Sequence, residues 1–408
     1  MKKYFIGIAI VGVIIFMAVA FSSEKSVDKS DWVKDLNYLA EKLPESHIDL
    51  YANISEEEFQ RQVSELKREI PELNRNEFVV ELARLVASVG DAHTTLGYQP
   101  TTAYPFTLHW FEDCIYNIMT TKKYQKTLNC RLVKINDIQV EDVISSLEKI
   151  ISHENDALLM SKIPSYLVFN EILMGLGIVE EGEEANYTFV DSEGAEFTTE
   201  VKPLNFRSNI EFIRETNYSA KYVQNKDQFY WYEYLPDKKA LYFKYNRCRN
   251  NPDRPIGDFS DEMLTLIKEK PVDKLVIDLR ANPGGNSSYL NYFINKIANN
   301  EEINQKGKIF VLVDRKTFSS ALLNTLKLKN RTKALIIGEP TGGKPNHFGE
   351  TKSFNLPNTR LSVYYSTKYF KKVEGDPTTL EPDKIVRLSF NDYKSNRDPV
   401  LETILDDF

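Results

Sequence analysis

Three stretches of the chain hold residues whose types and spacing could carry acyl transfer. Ser319 and Ser320 stand in Phe310-Val-Leu-Val-Asp-Arg-Lys-Thr-Phe-Ser-Ser-Ala-Leu-Leu323, which reads as strand, turn and helix. A serine at such a helix start is offered to solvent, and neighbouring N–H groups can hold an oxyanion. The same position also suits a plain helix cap. A second stretch, Leu275-Val-Ile-Asp-Leu-Arg-Ala-Asn-Pro-Gly-Gly-Asn286, runs from an apolar strand into Gly284 and Gly285. Glycines there let backbone N–H groups turn outward, and the dipole of the following helix favours an anion. An ordinary glycine-rich turn fits as well, but a phosphate loop does not, because no Gly-Lys-Ser/Thr follows. The third stretch, Leu335-Ile-Ile-Gly-Glu-Pro-Thr-Gly-Gly-Lys344, ends on a lysine that serves as a base only if its surroundings depress its pKa.

The elements that must position these groups follow from periodicity. Apolar residues at helical spacing, Trp32, Leu36, Leu39 and Leu43, then Phe59, Val63, Leu66 and Ile70, predict a helical N-terminal region over 30–100. Ser55 with Glu58 fits a capping box, and Gly90 fits the left-handed stop of a helix over 77–89. Asp91-Ala92-His93 comes directly after that stop. Short β-rich runs over 103–205, among them 131–136 and 187–191, predict a small β domain with a helical insertion. From 229 to 408 strands and helices alternate, which implies crossover units and an α/β domain.

Composition narrows the function classes. A chain of 408 residues with 42% hydrophobic and 27% charged residues is globular and long enough for two or three domains. Its formal net charge of -7 opposes phosphate backbones, so nucleic acid is not an expected partner. Lys2 and Lys3 followed by the uncharged run from Tyr4 to Phe21 read as an export signal over 1–21. Ala18-Val19-Ala20 suits cleavage, while the length of the run also suits an uncleaved membrane anchor. Either reading places Ser22 onward outside the cell membrane. Three cysteines are too few for a disulfide framework; Cys114 and Cys130 could pair, and their spacing does not suit zinc.

Together, Asp278-Leu-Arg-Ala-Asn-Pro-Gly-Gly285, Thr317-Phe-Ser-Ser-Ala321 and Gly338-Glu-Pro-Thr-Gly-Gly-Lys344 resemble the three signature blocks of the C-terminal processing, or tail-specific, proteases. Leu356-Pro-Asn358 and Glu381-Pro-Asp383 are similar to further elements of that family. The resemblance implies a serine nucleophile in the middle block and a lysine base in the last. Twenty-five residues separate Ser319 from Lys344, which matches the family and selects Ser319 over Ser320. Gly90-Asp-Ala-His93 resembles the block that carries a histidine base in the related tricorn-type proteases, where an acidic residue lies in the region of Glu374 and Asp376. Histidine needs little tuning near neutral pH, so chemistry favours His93 while spacing favours Lys344. A local hydrogen bond at the helix end is the other role open to His93, and His347, three residues past Lys344, could line the site, with a surface loop its expected place.

The resemblance implies a crotonase-like α/β catalytic domain and a PDZ-like β domain, the latter suggested by Lys134-Ile135-Asn136. It implies peptide hydrolysis through an acyl-enzyme, with N–H groups near Gly284, Gly285 and Ser320 as the oxyanion site. Protein or peptide substrates outside the cytoplasm are the expected partners, with no metal or organic cofactor. The fold also resembles the modules of the interphotoreceptor retinoid-binding protein, so a non-catalytic binder of peptides or apolar ligands is the alternative. A crotonase-type thioester enzyme would need coenzyme A, which an exported chain does not meet.

Overall fold

The computed structural model describes residues 28–407 apart from 113, 206 and 207. The expected export segment, 1–21, lies outside these residues. Among the described residues no helix is long and apolar enough to cross a membrane. The architecture is mixed α/β, with helices and several sheets in two units. The first unit comprises residues up to Glu154, Lys162–Glu215 and Phe348–Phe370; the second comprises Asn155–Ser161, Thr216–His347 and Lys371–Phe408.

In the first unit the amphipathic pattern folds as read. Helices Lys29–Ser46, Glu56–Glu69 and Arg75–Ala87 bury Trp32, Leu36, Leu39, Phe59, Val63, Leu66 and Phe78 in one core. The Ser55 hydroxyl accepts from the Glu58 amide at 3.1 Å, so the N-cap half of the predicted box forms, while the Glu58 carboxylate accepts from Arg61 and Gln62. The third helix has a full capping box that the pattern did not flag. Asn74 accepts from the Asn76 and Glu77 amides while the Asn74 amide donates to Glu77. Gly90 takes φ +70° beyond the end of this helix, where a side chain would be strained.

The hairpin of strands His347–Asn355 and Ser362–Phe370 falls within the stretch read as α/β, yet its 348–370 portion clusters with the first unit. It pairs antiparallel with Thr95–Gly97, and Leu356 and Val363 enter the helical core. Strands between Phe106 and Ile213 form a seven-stranded sheet, with helices Val140–Glu148 and Asn170–Gly175 inserted before the strand Ala185–Val190. Cys114 and Cys130 are free thiols, so the pairing left open to them is not made.

The second unit is built on a six-stranded sheet. Tyr230–Leu235 pairs antiparallel with Ala240–Tyr245, and Lys274–Asp278, Ile309–Val313, Leu335–Gly338 and Lys384–Ile385 follow in parallel. Both faces are covered, as parallel sheets require. Leu241, Phe243, Leu275, Ile277, Ile309 and Val311 point to one side, against helices Ile256–Glu269, Asn291–Ala298 and Ser320–Arg331. Their alternates Tyr242, Val276, Phe310 and Leu312 meet Val400, Leu401 and Ile404 of helix Pro399–Asp407 on the other side. The three signature stretches are therefore consecutive exits from the carboxyl ends of adjacent parallel strands, which is where such sheets place their sites.

Candidate active site

Ser319 occupies the N-cap position of helix Ser320–Arg331, but its hydroxyl makes no capping hydrogen bond. Its backbone sits at φ +52°, ψ −125°, in a region that costs a non-glycine residue about 1–3 kcal/mol. A cap requires no such strain, whereas a strand-to-helix turn that thrusts a nucleophile outward does. Ser320 has the opposite character. It is buried, and its hydroxyl donates to the Gly285 carbonyl at 2.6 Å, so it ties the helix start to the glycine loop.

Glycines let the loops close around Ser319. A methyl group on Gly284 would lie 2.9 Å from both the Ser319 Cβ and the Ser320 amide nitrogen. One on Gly343 would lie 2.9 Å from Leu322 and 3.3 Å from the Ser319 nitrogen. Hydrogen bonds join the same segments: Phe318 N–H to the Asn282 carbonyl at 3.1 Å, the Thr317 hydroxyl to the Leu279 carbonyl at 3.0 Å, and Gly343 N–H to the Thr317 carbonyl at 3.2 Å. Gly284→Ala combines a steric clash with a φ of +103°. It is expected to lower stability by about 1–3 kcal/mol and the acylation rate about 100-fold, measured by thermal melting and by labelling with an active-serine probe.

One expected oxyanion donor is corrected. The Gly284 N–H donates to the Asn282 side-chain oxygen at 2.9 Å, and Asn282 donates in turn to the Tyr245 carbonyl at 2.7 Å. Gly284 thus supplies space, and its amide is spent in locking the loop. Cys248 fixes the next step: its amide donates to the Gly284 carbonyl at 2.9 Å and its carbonyl accepts from Asn286 at 2.7 Å. Gly285 is left with its carbonyl on Ser320 and φ +133°, a conformation open to glycine. Ser320, as the first helical residue, has an N–H with no intrahelical partner.

Lys344 lies in the same unit, largely buried, with its ammonium 2.7 Å from a carboxylate oxygen of Asp376. That ion pair engages Asp376, one of the two acidic residues considered as a histidine partner, while Glu374 is exposed. His347 is buried, contrary to a surface-loop role, and its Nδ1 lies 2.7 Å from the Lys344 carbonyl.

His93 belongs to the first unit, on the turn after Gly90, with its side chain 9% exposed. Asp91 builds that turn. Its Oδ1 accepts from the His93 amide at 2.9 Å, and its Oδ2 accepts from Thr94 at 2.6 Å, Ser366 at 2.6 Å and the ring Nε2 of His47 at 3.1 Å. The Asp49 amide donates to His47 Nδ1, which leaves the His47 ring proton on Nε2 for Asp91. Burial pushes the Asp91 carboxyl up, but the hydrogen bond from His47, the charge of His93 and the two hydroxyls outweigh it and hold it at about 2. With its folded value below the ordinary 3.8, Asp91 contributes stability that is full above about pH 4 and fades as the pH falls toward 2. Urea unfolding across pH 5 to 2 is expected to show about 2 kcal/mol of this loss in wild type and a flatter curve in Asp91→Asn.

Sequence reasoning passed over Asn282, Asp91 as the hub of the His93 turn, and a buried ionic group below the glycine loop. Two signals were present: an asparagine two residues before Gly284, as in side-chain-to-backbone turns, and a lone lysine, Lys244, within the apolar strand Ala240-Leu-Tyr-Phe-Lys-Tyr245.

Residues 291–386, which include Ser319 and Lys344, match the model of peptidase family S41. No curated protein sequence matches the chain significantly. Among solved structures, mature CPAF complexed with lactacystin superposes with a TM-score of 0.67 at 13% identity, covering 93% of this chain and 99% of that one. Another structure of mature CPAF gives 0.65 at 14% identity, covering 92% and 96%. At such identities these likenesses speak for the fold. The matched segment is similar to peptidase family S41 and, carried on this fold, supports a serine peptidase.

Proposed function

We propose that Ser319 is the nucleophile of an exported endopeptidase that cleaves extracytoplasmic proteins or peptides through an acyl-enzyme. The observation that carries this reading is the left-handed backbone of Ser319, held between Gly284 and Gly343 with its hydroxyl unused in capping. The Ser319 oxygen attacks the scissile carbonyl, and the N–H groups of Gly285 and Ser320 receive the oxyanion. A general base takes the serine proton and returns it to the leaving amine, with His93 and Lys344 the two candidates. Histidine chemistry near neutral pH favours His93, and the separation from Ser319 favours Lys344. The parallel sheet and its glycine-lined exits support a crotonase-like catalytic domain, and the sheet over 106–213 supports a PDZ-like one. Export rests on Lys2, Lys3 and the apolar run to Phe21. A fluorophosphonate probe tests the chemistry: folded wild type labels at one serine and Ser319→Ala does not. Folded wild type that stays unlabelled would point to a non-catalytic binder.

A further inference from the structure

The glycine loop and the segment bearing Ser319 rest on a buried set of charges within the second unit. Lys244 is fully buried on the strand Ala240–Tyr245, and its ammonium donates to the Arg280 carbonyl at 2.6 Å and the Asp278 carbonyl at 3.2 Å. Its distance to the Asp278 carboxylate is 3.8 Å, so most of its bonding goes to the backbone just before Ala281-Asn-Pro-Gly-Gly285. The Arg280 guanidinium spans two carboxylates, with 2.6 Å to Asp278 Oδ2 and 2.7 and 2.9 Å to the two oxygens of Asp398. Its far face lies 4.1 Å from the ring centre of Tyr222, and the Tyr242 hydroxyl donates to Asp278 at 2.7 Å.

Burying a lysine and an arginine is costly, and an apolar core of the same shape would often be at least as stable. Stability alone is therefore a weak reason for these residues. What they fix is the course of the chain from Asp278 to Ala281, where Ala281 takes φ +57° and its amide donates to Asp314 at 2.9 Å. That course sets Leu279 and Asn282, whose carbonyls hold Thr317 and Phe318, the two residues before Ser319. Two bonded steps thus lead from the Lys244 ammonium to the serine.

We propose that Lys244, Arg280 and Asp398 are positioning residues that hold the loop 279–285, and through it Ser319, in the geometry for acylation. The inference rests on Ser319 being the nucleophile. None of the three needs to touch substrate, so the loss should appear in the chemical step and not in binding.

The test is the saturation kinetics of a fluorophosphonate probe with wild type, Lys244→Met and Asp398→Asn, alongside the number of probe molecules bound per chain at completion. The expected result is a maximal labelling rate about 10- to 100-fold lower in each variant. Half-saturating probe concentration should stay within about twofold, with labelling still reaching one per chain. A purely structural role would lower the fraction that labels and leave the rate of that fraction unchanged, which would overturn the proposal. So would a folded Lys244→Met protein labelling at the wild-type rate. Should Lys244→Met not fold, Asp398→Asn, whose amide keeps the shape of the carboxylate, is read by the same two criteria. Ser319→Ala separates the layers: if it labels like wild type, the nucleophile assignment falls and this inference with it. If it is silent while both variants behave as wild type, this inference alone falls.

Discussion

Ser319→Ala is expected to remove peptide hydrolysis, with a fall in kcat of about 10⁵–10⁶-fold, and to abolish fluorophosphonate labelling while the fold persists. The Ser320 hydroxyl does not replace the missing one, because it is committed to the Gly285 carbonyl. Alanine at 319 keeps the φ of +52° and its strain, so thermal stability should stay near wild type. Ser319→Gly makes a sharper comparison. Glycine accepts φ +52° without strain, and after its own entropic cost the fold should gain about 1 kcal/mol while activity is still lost. A nucleophile held at the expense of stability predicts this opposite movement of melting temperature and kcat. A Ser319→Gly protein less stable than Ser319→Ala would argue that the turn is unstrained and the serine not specially presented.

Much of the second unit was legible because parallel strands covered on both faces write continuous apolar runs into the sequence. Ala240–Tyr245 and Ile309–Val313 are such runs, buried along their whole length. The site was legible in part for the same reason: each chemical stretch lies just past such a run. What escaped was set by contacts distant in sequence. The hairpin reaching from His347 to Phe370 is drawn to the first unit by pairing with Thr95–Gly97, which no local pattern announces. The Gly284 amide is taken by a side-chain oxygen, and nothing in the spacing of Asn282 and Gly284 says which way that amide turns. Lys344 looked like a base because of its separation from Ser319; its ion pair depends on Asp376, thirty-two residues onward.

That pairing frames the base as the second large expected effect. If His93 is the base, His93→Ala should lower kcat by about 10³-fold or more and Lys344→Ala by less than about tenfold; if Lys344 is the base, the order reverses. A base must be deprotonated at the working pH. An imidazole exchanges its proton near neutral pH with little tuning. The pH dependence of kcat/KM separates the candidates: a histidine base gives an acid limb at about pH 6–7, and a lysine base keeps activity low until well above pH 8. A limb well above pH 8, together with an active His93→Ala protein, would give the role to Lys344.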